Sequence, residues 1–257
     1  MSRESITVLG SGTCVPSLTR SSCSFLIYGQ HERILLDLGM GTIHQLLRNR
    51  VMIDDIDVIL FSHFHPDHSA EFPSFLFSTK YPSPMRRKKT LTAIGGEGLN
   101  LFYERLNNAF DHNLTLPDNI LHLHDLPAFG KSEDLLQNFT LEWTTVKHRP
   151  ESRAYRLTSP NGFKIVFSGD TDYSEELVAI AEAADLFICE AAFPDGHKVE
   201  GHLTPSLAGD IAEKAEVKHL VLTHFYPACE GHNLVEQCRS RYKGKISLAE
   251  DFQRHEF

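Results

Sequence analysis

The fold of this chain is constrained most by seven imidazole and carboxylate side chains that are dispersed over more than half of its length. Four of them stand together in the run Ser62 to His68, and three follow singly at the ends of apolar, strand-like segments. The seven are His63, His65, Asp67, His68, His148, Asp170 and His224. Ligands in α/β proteins gather beyond the carboxyl ends of strands, so the fold is expected to bring these side chains to one edge.

The spacing within the first run indicates two adjacent metal ions. Side chains at positions i and i+2 of an extended chain point the same way, so His63 and His65 can hold one ion together. Pro66 disfavours helix at His65 and keeps that pair extended. Asp67 and His68 follow where the chain turns into a helix, so they can face a second ion. We therefore expect a site for two divalent cations.

The hydrophobic pattern predicts mixed strands and helices, with hairpins early in each half of the chain. Predicted strands cover residues 6–9, 24–27, 33–36, 57–61, 91–94, 141–146, 185–189, 218–222 and 246–248, with a hairpin at 153–166. Predicted helices cover residues 41–48, 97–109, 174–184, 204–214 and 233–242, with another beginning near residue 70. This mixture favours two sheets packed face to face with helices outside. We predict one domain, residues 1–257, with similar halves at 1–135 and 136–257.

Charge and cysteine usage limit the possible partners. The formal charge of −9 argues against nonspecific binding to a nucleic-acid backbone. Two bound dications would cancel about four of those charges at one place, leaving a locally positive cleft for an anion. The five cysteines are odd in number and have no Cys-x-x-Cys spacing, which fits a reducing compartment. With no apolar leader and no membrane-spanning stretch, we expect a cytoplasmic protein without a membrane partner.

The metal-type motif carries a family resemblance. His-x-His-x-Asp-His followed by His, Asp and His resembles the metallo-β-lactamase superfamily, which implies a four-layer αβ/βα sandwich. Segments typical of the ribonuclease Z-like branch lie at residues 10–16, 20–22, 167–171 and 201–204. The resemblance assigns the ligands of the two metals as follows: His63, His65 and His148 to the first, Asp67, His68 and His224 to the second, and Asp170 to both.

Three positions refine what the resemblance implies. Asp170 stands where many antibiotic-degrading relatives have cysteine, which argues against β-lactam hydrolysis. His65 stands where diiron relatives have glutamate, which favours zinc, with manganese as the alternative. Glu71 stands where the family commonly has glycine, and it is expected to alter the lip of the pocket.

The expected chemistry is hydrolysis by a hydroxide shared between the two metals. Asp67 is the candidate to orient or deprotonate that water. A departing alkoxide needs a proton, and His202 is the candidate donor, because the resembling branch uses a histidine in this motif. His202 lies just before the helix start Thr204-Pro205, where an anion is also favoured.

The substrate is the main open question. The tRNA-gripping arm of ribonuclease Z enzymes resembles an insertion between the third and fourth metal motifs, whereas only 21 residues separate His148 from Asp170 here. A small or cyclic phosphodiester is therefore the expected substrate. The alternatives are tRNA 3′-end cleavage with RNA as partner, lactone or thioester hydrolysis, and a metal-binding scaffold or sensor without turnover. A homodimer is possible by analogy with relatives. The basic run Arg86 to Lys89 is interpreted as solvated loop charge, with RNA contact as the alternative.

Overall fold

A computed structural model describes residues 4–81 and 86–257 and contains two seven-stranded sheets. The first sheet has the order β14-β1-β2-β3-β4-β5-β6 and the second has the order β13-β12-β11-β10-β9-β8-β7. The strands of the first sheet are β1 Ser5–Gly10, β2 Ser24–Tyr28, β3 Arg33–Leu36, β4 Val58–Leu60, β5 Leu91–Gly96, β6 Leu121–Leu126 and β14 Arg254–Glu256. Those of the second are β7 Gly130–Ser132, β8 Thr140–Thr145, β9 Arg153–Thr158, β10 Lys164–Phe167, β11 Leu186–Glu190, β12 His219–Thr223 and β13 Lys245–Leu248.

The helices surround the two sheets. They are α1 Thr42–Arg48, α2 Pro66–Ser69, α3 Phe72–Ser78, α4 Leu99–Ala109, α5 Glu175–Ile180, α6 Pro205–Lys214 and α7 Leu234–Arg239. The helix predicted to begin near residue 70 is α3, which starts at Phe72, and the short helix α2 precedes it from Pro66, since proline is well suited to the first helical position. Helices α5 and α7 are shorter than predicted. None of the helices in the described ranges is both long and apolar enough to cross a membrane.

Both sheets combine antiparallel and parallel strands, and this positions the site. Strands β1 to β3 and β7 to β10 pair antiparallel, whereas β3 to β6 and β10 to β13 pair parallel. Parallel neighbours end at the same edge of a sheet. The loops that follow β4, β10, β11 and β12 therefore emerge where their side chains can converge.

A dry core between the sheets holds the two layers together. Phe25 of β2 and Phe167 of β10 pack across the interface with ring centroids 5.6 Å apart, and both side chains are buried. Two further apolar clusters lie between each sheet and its own helices. The predicted arrangement of two mixed sheets face to face with helices outside is confirmed.

The last strand was not predicted. The chain does not end its sheet structure at residues 246–248 but returns to the first sheet, where β14 pairs antiparallel with β1 (Thr7 opposite Arg254). The sequence Arg-His-Glu has no apolar alternation, so its pattern does not indicate a strand. Its extended form comes from pairing with the free edge of β1.

Candidate metal centre

The structure brings all seven predicted side chains together beyond the carboxyl ends of β4, β8, β10 and β12. The donor atoms of His63, His65, His148 and Asp170 lie within 4.8 Å of one another, as do those of Asp67, His68 and His224. Asp170 faces both groups. Its Oδ1 lies 3.2 Å from His68 Nε2 and 3.3 Å from His224 Nε2. Its Oδ2 lies 3.8 Å from His63 Nε2 and 3.9 Å from His148 Nε2.

Local backbone geometry explains how the chain delivers these side chains. His65 is extended at φ −60° and ψ 150°, and Pro66 then starts α2, which carries Asp67 and His68. Gly169 turns the chain after β10 at φ +57°, where a Cβ would lie 2.5 Å from the Cβ of Ser62. Only glycine fits there, so Asp170 can approach the first run closely.

The donor set fits divalent cations. His63 Nε2 and Asp170 Oδ1 are buried and make no hydrogen bond within the described residues. Facing nitrogens also lie close together: His65 Nδ1 is 3.1 Å from His148 Nε2, and His68 Nε2 is 3.4 Å from His224 Nε2. A cation between such atoms gives each lone pair a partner.

The protonation states of the first group agree with metal binding. Burial is the main cause that lowers the pKa of His63, His65 and His148, so these rings favour the neutral form. A neutral imidazole is the form that binds a metal. Burial also opposes charge on His68, but Asp170 and Asp37 outweigh it and raise the pKa of that ring. A dication beside Asp170 would take the place of that proton.

Protein groups on the outer nitrogens orient three of the rings. His63 Nδ1 is 3.1 Å from Ser62 Oγ, and His148 Nδ1 donates to the carbonyl of Gly201 at 3.0 Å. His68 Nδ1 donates to Asp37 Oδ2 at 2.7 Å. These contacts leave each Nε2 free to face inward, as is usual for histidines around metals.

Asp37 is a functional candidate that the sequence reasoning missed. It is fully buried directly after β3 at φ +59°, and it also accepts hydrogen bonds from the backbone N–H and hydroxyl of Ser62 at 2.6 and 2.7 Å. The signal was present as an acid at the end of the apolar strand β3. Its partner His68, however, is 31 positions away.

His202, the predicted proton donor, lies beside both donor groups. Its ring centroid is 5.1 Å from that of His148 and 5.7 Å from that of His224. Its Nδ1 is 3.0 Å from Glu190 Oε1. Burial opposes charge on the imidazole, but Glu190 and then Asp170 outweigh it, so the pKa of His202 is raised. A ring that holds its proton more firmly suits a proton donor near neutral pH.

Glu190 is the second residue that the sequence reasoning missed. It ends β11, is buried, and accepts backbone N–H groups from Thr171, Leu203 and Ala192 at 2.7, 3.0 and 3.3 Å. The carboxylate is thus held rigidly against His202. An acid at the end of the otherwise apolar β11 was the available signal.

A cleft of about 690 Å³ opens beside the first donor group. Its lining includes two of the predicted ligands and side chains of both charges: His65, Lys147, His148, Arg149, Asp172, Tyr173, Glu200 and Gly201. Lys147 and Arg149 are exposed and flank His148 in the chain. The cleft therefore gives a small molecule access to His65 and His148 past groups of both charges.

Two further positions are explained by their contacts. In the basic run, Arg87 is buried and donates to backbone carbonyls that include those of Ile56 and Thr90, and Lys89 pairs with Asp57 at 2.6 Å. The interpretation of the whole run as solvated charge is therefore wrong, because burial of Arg87 is stabilised by carbonyl acceptors. The carboxylate of Glu71 accepts the N–H groups of Gly41 and Ile43 at 2.8 and 2.6 Å and so caps α1.

Comparison with known proteins identifies relatives along nearly the whole chain. The family model described as "Anti-Pycsar protein Apyc1" matches residues 4–236. The uncharacterized protein Rv1339 of Mycobacterium tuberculosis is 29% identical over 247 residues, covering 94% of this chain and 88% of that protein. The ribonuclease Z of Streptomyces coelicolor is 28% identical over 302 aligned positions, covering 99% of this chain and 98% of that enzyme.

A solved structure supports the fold. The metallo-β-lactamase fold protein YhfI from Bacillus subtilis superimposes with a TM-score of 0.87 at 21% identity, and the match covers 100% of both chains. The resemblance to the metallo-β-lactamase superfamily and its ribonuclease Z-like branch is confirmed.

Proposed function

Because this chain belongs to the anti-Pycsar protein Apyc1 family, and has the metallo-β-lactamase fold, we propose that it is a dinuclear metal-dependent phosphodiesterase acting on a small or cyclic phosphodiester. One observation carries the proposal. Asp170 divides its two carboxylate oxygens between two groups of inward-facing donors, and His202 lies next to both groups.

The first metal would be held by His63, His65 and His148, the second by Asp67, His68 and His224, with Asp170 bridging. When bound, the ions would lower the pKa of a coordinated water and neutralise charge on the phosphate oxygens. Zinc is the proposed ion, because imidazoles supply most donors and aspartates the rest. Manganese is the alternative.

Two side chains of this site have proposed roles in proton transfer. Asp67 Oδ2 lies 3.4 Å from His224 Nε2, at the rim of the second donor group, where it can accept a hydrogen bond from the attacking water. His202, held by Glu190, can donate its proton to the departing oxygen. The raised pKa of His202 supports this direction of transfer.

The dimensions of the site support a small substrate. The cleft of about 690 Å³ is within the range for one nucleotide-sized ligand. Two members of the basic run, Arg87 and Lys89, already bind groups of this chain, which leaves Arg86 and Lys88 as the exposed members without such a role among the described residues. The hairpin of β9 and β10 occupies the segment between His148 and Asp170.

Ribonuclease Z activity is the second candidate. The relative from Streptomyces coelicolor carries that name, and the match covers 98% of its length, which favours this candidate. The same match extends over 302 aligned positions, more than the 257 residues of this chain, whereas the match to Rv1339 needs only 247. The chain therefore lacks a segment that this ribonuclease Z has.

Metal analysis combined with a panel of substrates tests the proposal. We expect two zinc or manganese ions per chain and turnover of bis(p-nitrophenyl) phosphate and of a 3′,5′-cyclic nucleotide. His63→Ala should lose metal and activity, whereas the control His122→Ala, at an exposed histidine of β6, should change neither.

Each alternative function has its own outcome. Faster trimming of a tRNA precursor than of any small diester would favour ribonuclease Z activity. Turnover of a lactone or thioester alone would favour a carbonyl substrate. Full metal loading without turnover of any of these would favour a scaffold or sensor.

A further inference from the structure

His224 differs from three neighbouring histidines of the site in the contacts of its Nδ1 atom. His63, His68 and His148 each have a hydrogen-bond partner on Nδ1. His224 Nδ1 is buried and has no hydrogen-bond partner in the described part of the chain. The residue also has φ +61°, which few residues other than glycine adopt. No hydrogen bond on Nδ1 from the described residues fixes the direction of this ring, so its backbone conformation contributes to that direction together with the packing of His202 and Tyr226 against it.

Two hydrogen bonds hold the backbone that follows His224. The N–H of Phe225 donates to the carbonyl of Ser11 at 3.1 Å, and the N–H of Tyr226 donates to the carbonyl of Ala192 at 3.2 Å. Ser11 lies in the loop after β1, 240 positions before Asp251, to which it is bonded. The direction of His224 thus depends on where this loop places the Ser11 carbonyl.

A single carboxylate near the end of the chain holds that loop. Asp251 accepts four hydrogen bonds: from the N–H and the hydroxyl of Ser11 at 3.0 and 2.8 Å, from the N–H of Ser21 at 2.8 Å, and from Gln45 Nε2 at 2.9 Å. Arg20 completes the network, since its Nη1 donates to the Ser11 hydroxyl at 2.6 Å. The partners of Asp251 come from both ends of the loop and from α1.

We propose that Asp251 is a positioning residue of the metal centre, which fixes the Ser11 carbonyl against the Phe225 peptide and so directs His224 toward the second metal position. This inference rests on the proposed function. All four partners of Asp251 are donors, so an amide at this position would turn its NH₂ toward other N–H groups. Asp251→Asn therefore loosens the loop although it preserves the size of the side chain.

The test follows the binding of metal alone. Zn²⁺ is titrated into the metal-free protein by calorimetry, and the stoichiometry is measured by elemental analysis. Loss of a group that orients a ligand commonly costs 10- to 100-fold in metal affinity. We expect Asp251→Asn to weaken one of the two binding steps by about 10- to 100-fold and to leave the other unchanged. The pattern should match His224→Ala and differ from His148→Ala.

Glu32→Gln is the matched control. Glu32 is also a buried carboxylate that accepts backbone N–H groups, from Gln137 and Asn138 at 3.0 and 2.7 Å, but it has no contact with the loop after β1. The Glu32→Gln variant should have a lower melting temperature than the parent protein and the same affinity for both metal ions. Should Asp251→Asn fail to fold, Ser11→Ala removes only the hydroxyl bonds and should weaken the same step less.

The outcomes distinguish a failure of this inference from a failure of the proposed function. If Asp251→Asn binds both ions with parent affinities, or weakens both steps equally, Asp251 has a structural role only and the inference is overturned. If the parent protein binds two ions but hydrolyses no phosphodiester, the proposed substrate is wrong and the positioning role is still decided by the titration. If the parent binds no metal, both proposals are wrong.

Discussion

Replacing Glu190 by glutamine removes the negative charge beside His202 and keeps the shape of the side chain. Glu190 Oε1 lies 3.0 Å from His202 Nδ1, and the other partners of the carboxylate are backbone N–H groups. A hydrogen bond to a charged group is worth about 1.5–3 kcal/mol and a neutral one about 0.5–1.5 kcal/mol. The change therefore destabilises the protonated ring of His202 by about 1–2 kcal/mol, which corresponds to a roughly 5- to 30-fold loss in kcat at pH values above the pKa of His202.

The size of that loss should depend on the leaving group. An alkoxide leaving group, as in a cyclic nucleotide, needs a proton from His202, whereas p-nitrophenolate leaves without one. Glu190→Gln should slow hydrolysis of the cyclic nucleotide by the full factor and that of bis(p-nitrophenyl) phosphate by much less. His202→Ala should show the same contrast with a larger loss.

The pH dependence provides a second measurement with a defined sign. The folded-state pKa of His202 is raised, partly by Glu190, so the protonated ring is present at low pH and is lost as the pH rises through that value. Without the charge of Glu190 the pKa falls, so the basic limb of the kcat profile should move to lower pH. Equal losses on both substrates with an unmoved basic limb would refute the role of His202 as proton donor.

Three other predictions concern the metal centre and the scaffold. Gly201→Ala should weaken one Zn²⁺ binding step, measured by calorimetry, by about tenfold or more. The reason is that Gly201 has φ +82° and its added Cβ would lie 3.2 Å from His148 Nδ1. An unchanged affinity would contradict this packing. Removal of metal by a chelator should lower the melting temperature reversibly, since the ions bind only the folded donor set, and an unchanged melting curve would count against a metal site at these residues. Arg87→Met should lower the free energy of unfolding, measured by urea titration, by about 3 kcal/mol, because buried carbonyls lose their donor. The kcat should be unchanged. A loss of activity in the folded variant would instead implicate Arg87 in the site.

Much of the fold and the donor set could be predicted from local sequence patterns. Successive side chains of a strand point to opposite faces of the sheet. Apolar runs that end in aspartate or histidine indicate where β10 and β12 stop and which side chain follows each strand. For this reason the sequence predicts that His63, His148, Asp170 and His224 lie together. The helix start predicted near residue 70 also lies within a few residues of the observed start of α3 at Phe72.

The groups that orient those side chains could not be predicted in the same way. Asp37 and Glu190 end apolar strands but belong to no motif that indicates a partner, Asp251 stands beside a second acid, Glu250, and strand β14 has no apolar alternation. What each does depends on its partner, which for Asp251 lies 240 positions away.

The sequence alone determined which chemical groups are available and which strands carry them, because residue type and strand periodicity are local properties. The tertiary structure decided which nitrogen of each imidazole faces inward, which carboxylate holds His202, and how a strained backbone at His224 is kept in place. Those features arise from contacts between distant segments, since hydrogen bonds need their atoms within about 3 Å in space but require no closeness in sequence.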